Sequence, residues 1–158
     1  RIINTSSVTC KMGEVGDRFF KLDPEHYRRF KAYPNSKLAI LMFTTELARR
    51  VQGRAITVNA VDPGVVNTGM ITMHKWYDPL ADIFFRPFIK SPERGAMTAI
   101  LLATSDQYVN ISGGFFRNKH QVGLPEAALD VEACQNLWLQ TEQFVAGLVG
   151  SRLKKGEN

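Results

Sequence analysis

Few of the usual reactive groupings occur in this chain of 158 residues. Its two cysteines, Cys10 and Cys134, stand far apart and match no metal or redox spacing. That excludes a disulfide framework and fits a reducing compartment. His26, His74 and His120 are scattered as well, with no pair at ligand spacing, so no metal is expected. No apolar run reaches the roughly 18 residues that a spanning helix requires. No glycine run sits between a strand and a helix, where backbone N–H groups could approach a pyrophosphate; Gly113-Gly114 lies inside a strand-like stretch. A basic stripe is also missing. The formal net charge is +5, but Arg28-Arg29, Arg49-Arg50 and Lys154-Lys155 are separate pairs. Nucleic acid is therefore not the expected partner, because affinity there needs clustered phosphate contacts. Asn110-Ile111-Ser112 matches a glycosylation sequon but begins an expected strand, and reads as chance.

The most informative feature that is present is Tyr33-Pro34-Asn35-Ser36-Lys37. On a helix, positions i and i+4 share a face about one turn apart. An ammonium beside a phenol favours the phenolate, and a phenol tuned towards working pH can pass a proton to or from an alcohol oxygen. Upstream, Ile2-Ile3-Asn4-Thr5-Ser6-Ser7 reads as a short apolar strand ending in hydroxyls. Downstream, Ala55 to Val61 reads as a second strand that runs into Asp62-Pro63-Gly64 and then Val65-Val66-Asn67-Thr68.

Between these elements, Val8 to about Ala32 is a connection longer than most loops. Asp23-Pro24-Glu25 predicts a helix start, with Asp as N-cap and Pro at the first helical position, and a short helix from His26 to Phe30. A residue before proline disfavours helical dihedrals, so the long helix is predicted to start near Pro34 with Tyr33 at its mouth. It should run to about Val51, where Gly53 is a natural stop. From Leu38 to Phe43 this helix is apolar on every side, so both of its faces should be covered.

Met70 to Lys90 carries Trp76, Tyr77, Phe84, Phe85 and Phe88 beside Pro79 and Pro87, a pattern that suits a mobile lid over an apolar substrate, a helical pair packing its aromatics into the core, or a membrane-surface contact. Ser91-Pro92-Glu93-Arg94 opens a helix to about Ala103. Ile111 to Phe116 reads as the last core strand, and a final helix is expected from Leu124 or Pro125 to about Val149. Ser151 to Asn158 is a polar tail, expected to be disordered.

Strand-Ser-Ser, then Tyr-x-x-x-Lys opening a long helix, then strand-Pro-Gly-x-x-x-Thr resembles the short-chain dehydrogenases/reductases. Ser36-Lys37-Leu38-Ala39 and Glu46-Leu47-Ala48-Arg49-Arg50 are similar to the retinol dehydrogenase-like branch of that family. The resemblance runs from Arg1 to about Phe116. It implies an α/β fold, the C-terminal part of a Rossmann-like doubly wound parallel sheet with flanking helices, with residues 1–150 as the catalytic and substrate-binding half of one NAD(P)-binding domain. The family's Gly-rich phosphate loop and Asn-Asn-Ala-Gly stretch are not in this sequence, so the chain is expected to be the C-terminal portion of a longer protein and inactive by itself.

In that reading Tyr33 is the acid/base, Lys37 tunes it and bonds the nicotinamide ribose, and the family's two-serine pattern points to Ser7 as the group that polarises the carbonyl. Pro63 and Gly64 would turn the chain beside the cofactor, with the Val66 backbone and the Thr68 hydroxyl holding the carboxamide. The implied activity is an NAD(P)-dependent interconversion of an apolar alcohol and carbonyl such as a retinoid, steroid or lipid aldehyde, with NADP slightly preferred over NAD. The second face of the long helix suggests a homodimer. A place in the cytoplasm or on the cytosolic face of an intracellular membrane, reached through a preceding segment, is the expected location. The rival class is a non-catalytic relative that keeps the fold for protein binding, against which intact Ser7, Tyr33 and Lys37 argue.

Overall fold

The computed structural model describes residues 1–16, 19–20, 25, 27–66 and 90–155. Its centre is a four-stranded sheet of β1 (Ile2–Thr5), β2 (Val58–Asp62), β3 (Phe115–Arg117) and β4 (His120–Val122), in that spatial order. β1 pairs parallel with β2 from Ile2↔Val58 to Thr5↔Val61, and β3 pairs parallel with β2 on its other side. β4 returns antiparallel to β3. The helices are α1 (Arg29–Arg50), α2 (Pro92–Thr104), α3 (Glu126–Leu129) and α4 (Val131–Lys155).

β2 is buried along its whole length, as a strand covered on both faces must be. Its successive side chains turn to opposite layers. Ala60, with Phe115 of β3, packs against Leu38, Leu41 and Met42 of α1 and Cys134 and Leu137 of α4. Val61 and Phe116 pack the other way, against Leu102 of α2 and Tyr108. This is the expected α/β, Rossmann-like arrangement: a mostly parallel sheet between helical layers. Among the described residues no helix is long and apolar enough to cross a membrane.

Several details differ from the sequence-based expectation. α1 starts at Arg29, so Tyr33 lies inside the first turns and Pro34 within the helix. Proline gives no N–H to the Phe30 carbonyl, a cost of up to about 3 kcal/mol in a helix interior. Tertiary packing carries that cost: Pro34 is buried, and the Pro34 carbonyl lies only 2.5 Å from where a Gly13 Cβ would stand. Of the short helix expected at His26 to Phe30, Tyr27 and Arg28 are non-helical, Phe30 belongs to α1 and His26 lies outside the described residues.

The other differences lie at the C-terminal side. β3 begins at Phe115 rather than Ile111, because Gly113 at φ 79 bends the approach. β4 was not expected; it forms because Asn118 and Lys119 both adopt left-handed φ, 51 and 70, and reverse the chain in two residues. The last helix divides at Asp130, whose backbone is extended and whose Oδ1 accepts from Ala133 N at 3.0 Å, capping α4. α4 then reaches Lys155, beyond the Val149 end read from the sequence. It also covers the second face of α1: Trp138 stacks on Phe43 at 5.1 Å and lies under the Arg50 guanidinium at 4.4 Å. The cover expected from another subunit thus comes from this chain, which removes the reason for expecting a homodimer there.

Candidate functional site at the carboxyl ends of β1 and β2

Parallel strands bring their carboxyl ends to one edge of the sheet, where open α/β sheets place ligands. β1 leaves that edge through Ser6 and Ser7. Ser6 N continues the ladder by donating to Val61 O at 2.8 Å. Its side chain is buried, and Ser6 Oγ donates to the Lys37 carbonyl at 2.8 Å. Lys37 Nζ answers by donating to the Thr5 carbonyl at 3.3 Å. These two bonds fasten the third turn of α1 to the end of β1.

Tyr33 lies one turn earlier on the same face, and the Lys37 ammonium stands 5.5 Å from the centre of its ring. The tyrosine side is open to solvent, with Tyr33 at 42% exposure. Ser7, half-buried, caps a short 3-10 turn (Val8–Met12), and its Oγ accepts from Thr9 N at 3.3 Å. That bond spends a lone pair and not the hydroxyl proton, so Ser7 keeps a donor. Ser6 has given its own proton to the helix. The structure therefore separates the two serines physically, where the sequence offered only a pattern.

The second part of the site is the exit from β2. Carrying the β1–β2 register on by two residues sets Ser7 level with Pro63. Asp62 is buried, and its Oδ1 accepts from Gly64 N at 2.8 Å, closing the turn around Pro63. Asp62 Oδ2 faces Arg117 Nε at 3.3 Å, an ion pair whose angles do not make a hydrogen bond. Gly64 adopts φ 79, a conformation that suits glycine. Val66 forms an isolated parallel bridge with Lys90. Lys90 was missed in the sequence, because nothing local links it to Pro63, 27 positions away, whose carbonyl it contacts.

Ser7, Tyr33, Lys37, Pro63, Gly64 and Val66 thus gather at one end of two neighbouring strands. Thr68 and the expected lid from Met70 to Lys90, Lys90 itself excepted, lie outside the described residues. A hydroxyl with its proton unspent and a glycine turn lie at these strand ends, and α1 brings the Tyr33 phenol and the Lys37 ammonium to the end of β1, donor types that suit the nicotinamide end of a dinucleotide. A Gly-rich cradle for the pyrophosphate has no counterpart in the sequence. Among the described residues no group of three or more His, Cys, Asp and Glu could hold a metal.

Comparison with known proteins gives a consistent result. A family model described as short chain dehydrogenase matches residues 1–76, the span that holds both strand ends and the Tyr33-Lys37 turn. Retinol dehydrogenase 14 of Homo sapiens is 36% identical over 149 residues, covering 92% of this chain and 44% of that protein. The chain therefore spans under half the length of such curated relatives. Among solved structures, a putative uncharacterized protein from Mycobacterium paratuberculosis superposes with a TM-score of 0.65 at 25% identity, covering 90% of this chain and 49% of that one. A blue fluorescent protein from a metagenomic library, solved in complex with NADPH, gives a TM-score of 0.50 at 25% identity, covering 74% of this chain and 42% of its own.

Proposed function

The chain belongs to the short-chain dehydrogenase/reductase family, in its retinol dehydrogenase-like branch, and from that membership we propose that the protein is an NAD(P)-dependent oxidoreductase interconverting an alcohol and a carbonyl. The observation that carries the reading is the double fastening of Lys37 to β1, through Ser6 Oγ to the Lys37 carbonyl and Lys37 Nζ to the Thr5 carbonyl. It sets the Tyr33-Lys37 turn beside the next residue along the strand end, Ser7.

A bound nicotinamide supplies or accepts the hydride. This chain's residues handle the oxygen. In reduction, the Tyr33 phenol gives its proton to the carbonyl oxygen as negative charge develops there; in oxidation it takes the proton back. The Ser7 hydroxyl donates to the same oxygen and polarises it. Lys37 holds a positive charge beside the Tyr33 ring and would bond the nicotinamide ribose. Pro63, Gly64, the Val66 backbone and the Thr68 hydroxyl would hold the carboxamide.

An apolar substrate, such as a retinoid, steroid or lipid aldehyde, is supported by the surface around Tyr33. Phe30 is 93% exposed three positions before Tyr33, on the same helical face, and Tyr27 is also exposed. The NADPH complex of a structural neighbour makes NADP the first cofactor to try, with NAD second. The cytoplasm or the cytosolic face of an intracellular membrane is the location we assign.

The test is hydride tracing with the natural full-length protein. NADPH carrying deuterium at the transferable C4 position is incubated with a long-chain aldehyde. One deuterium at the carbinol carbon of the alcohol is the expected product. Absence of labelled alcohol, with NAD-derived cofactor tried as well, contradicts the reading.

A further inference from the structure

We propose that Lys90 is a positioning residue, whose ammonium ties the Pro63-Gly64 turn to the β3–β4 hairpin and so fixes the backbone from Gly64 to Val66. The inference rests on the reading of that turn as the nicotinamide-binding strip.

Gly64 leaves a space that Lys90 enters. A Cβ built on it would lie 3.0 Å from Lys90 Nζ and 3.3 Å from Lys90 Cε. The room left by the missing side chain is therefore occupied by the lysine. From there Nζ donates to the Pro63 carbonyl at 3.2 Å and to Asn118 Oδ1 at 2.6 Å. The main chain repeats the link, since Lys90 N donates to Val65 O at 2.8 Å. Lys90 thus grips the β2 exit through both its backbone and its side chain.

The anchor on the other side is itself fixed. Lys119, next to Asn118 in the hairpin tip, donates its N–H to Thr98 Oγ1 of α2 at 3.1 Å. Its carbonyl accepts from the Tyr108 hydroxyl at 3.0 Å. The tip is held from the helical layer, and Asn118 passes that hold to Lys90. Arg117, from the same hairpin, pairs with Asp62, the residue before Pro63. Two cations therefore meet the turn around Pro63. A charge-assisted bond to a carbonyl is stronger than a neutral one, and its loss frees the carbonyl to reorient. A shift of the backbone by a fraction of an ångström is enough to weaken a bound carboxamide without altering the phenol that moves the proton.

The test uses the natural full-length protein and three variants: Lys90→Met, Asn118→Gly and Asn118→Asp. Amide exchange at Gly64 to Val66, followed without cofactor, reads the turn directly. NADPH titration and steady-state kinetics read its consequence. Lys90→Met is expected to speed exchange at these amides and to raise the KM for NADPH about tenfold, with kcat changed less than about threefold. Asn118→Gly keeps the backbone freedom, loses the acceptor and should reproduce the defect, which guards against a Lys90 variant that fails to fold. Asn118→Asp tolerates left-handed backbone, keeps an acceptor and should behave as wild type. Unchanged exchange in both Lys90→Met and Asn118→Gly overturns the proposal, as does a fall in kcat with KM unmoved. If wild-type protein binds neither NADPH nor NADH, the oxidoreductase reading falls, while the exchange rates still decide whether Lys90 holds the turn.

Discussion

Adjacent serines at the end of β1 have different duties because their hydroxyls meet different neighbours. Ser6 Oγ donates to the Lys37 carbonyl from a buried position, so Ser6→Ala should cost about 1 kcal/mol of stability, measured by urea unfolding. Ser7 keeps its proton, and Ser7→Ala, which also loses the cap on Thr9 N at a cost of up to about 1 kcal/mol, should lower kcat about a hundredfold. Equal kcat in the two variants would remove Ser7 from the proposed chemistry. The sequence pattern pointed to Ser7 but held no physical reason for the choice. What sets the two serines apart in the structure is the Ser6 contact across 31 positions, which no local spacing encodes. Tyr33 and Lys37 were legible because their relation is local: one helical turn sets it.

α1 was legible as an element because Leu38 to Phe43 is apolar all round, and the structure covers it on both sides. Its beginning was not. The rule against helical backbone before proline applied locally, yet close packing of Gly13 on the Pro34 carbonyl overrides it. β4 was missed for a related reason: Lys119 is an unusual residue for positive φ, so Asn118-Lys119 carried no turn signal. What covers α1 was misjudged as well, since the face given to a second subunit meets α4. Leu137 of α4 is buried in the core shared with α1, so Leu137→Ala should cost about 2–5 kcal/mol by urea unfolding. A loss under about 1 kcal/mol would mean that α4 does not cover α1 in solution.

At the scale of the whole molecule, both cysteines are buried in the core that packs against α1. Burial pushes the Cys10 thiol up, with the Asp62 charge adding to it, and burial does the same for Cys134. A raised thiol pKa means that the folded state keeps protons that the unfolded chain has lost. Stability is then intact below the ordinary thiol value of about 8.5 and falls as pH rises from there towards the folded values. Urea midpoints measured from pH 7 to 10 should decline above that point, and replacing both cysteines by alanine should flatten the decline. The 158-residue chain has no glycine run between strand and helix to cradle a pyrophosphate, so alone it should show no NAD(P)H-dependent turnover. Turnover by residues 1–158 in isolation would contradict that.

Proton transfer by Tyr33, whose ring is exposed beside the Lys37 ammonium, is the central step of the proposed chemistry. The direct measurement is aldehyde reduction by the natural full-length protein with Tyr33→Phe, compared with wild type at saturating NADPH. The predicted result is a fall in kcat of at least about a hundredfold, with NADPH binding and the unfolding midpoint retained. An unchanged kcat would contradict the account.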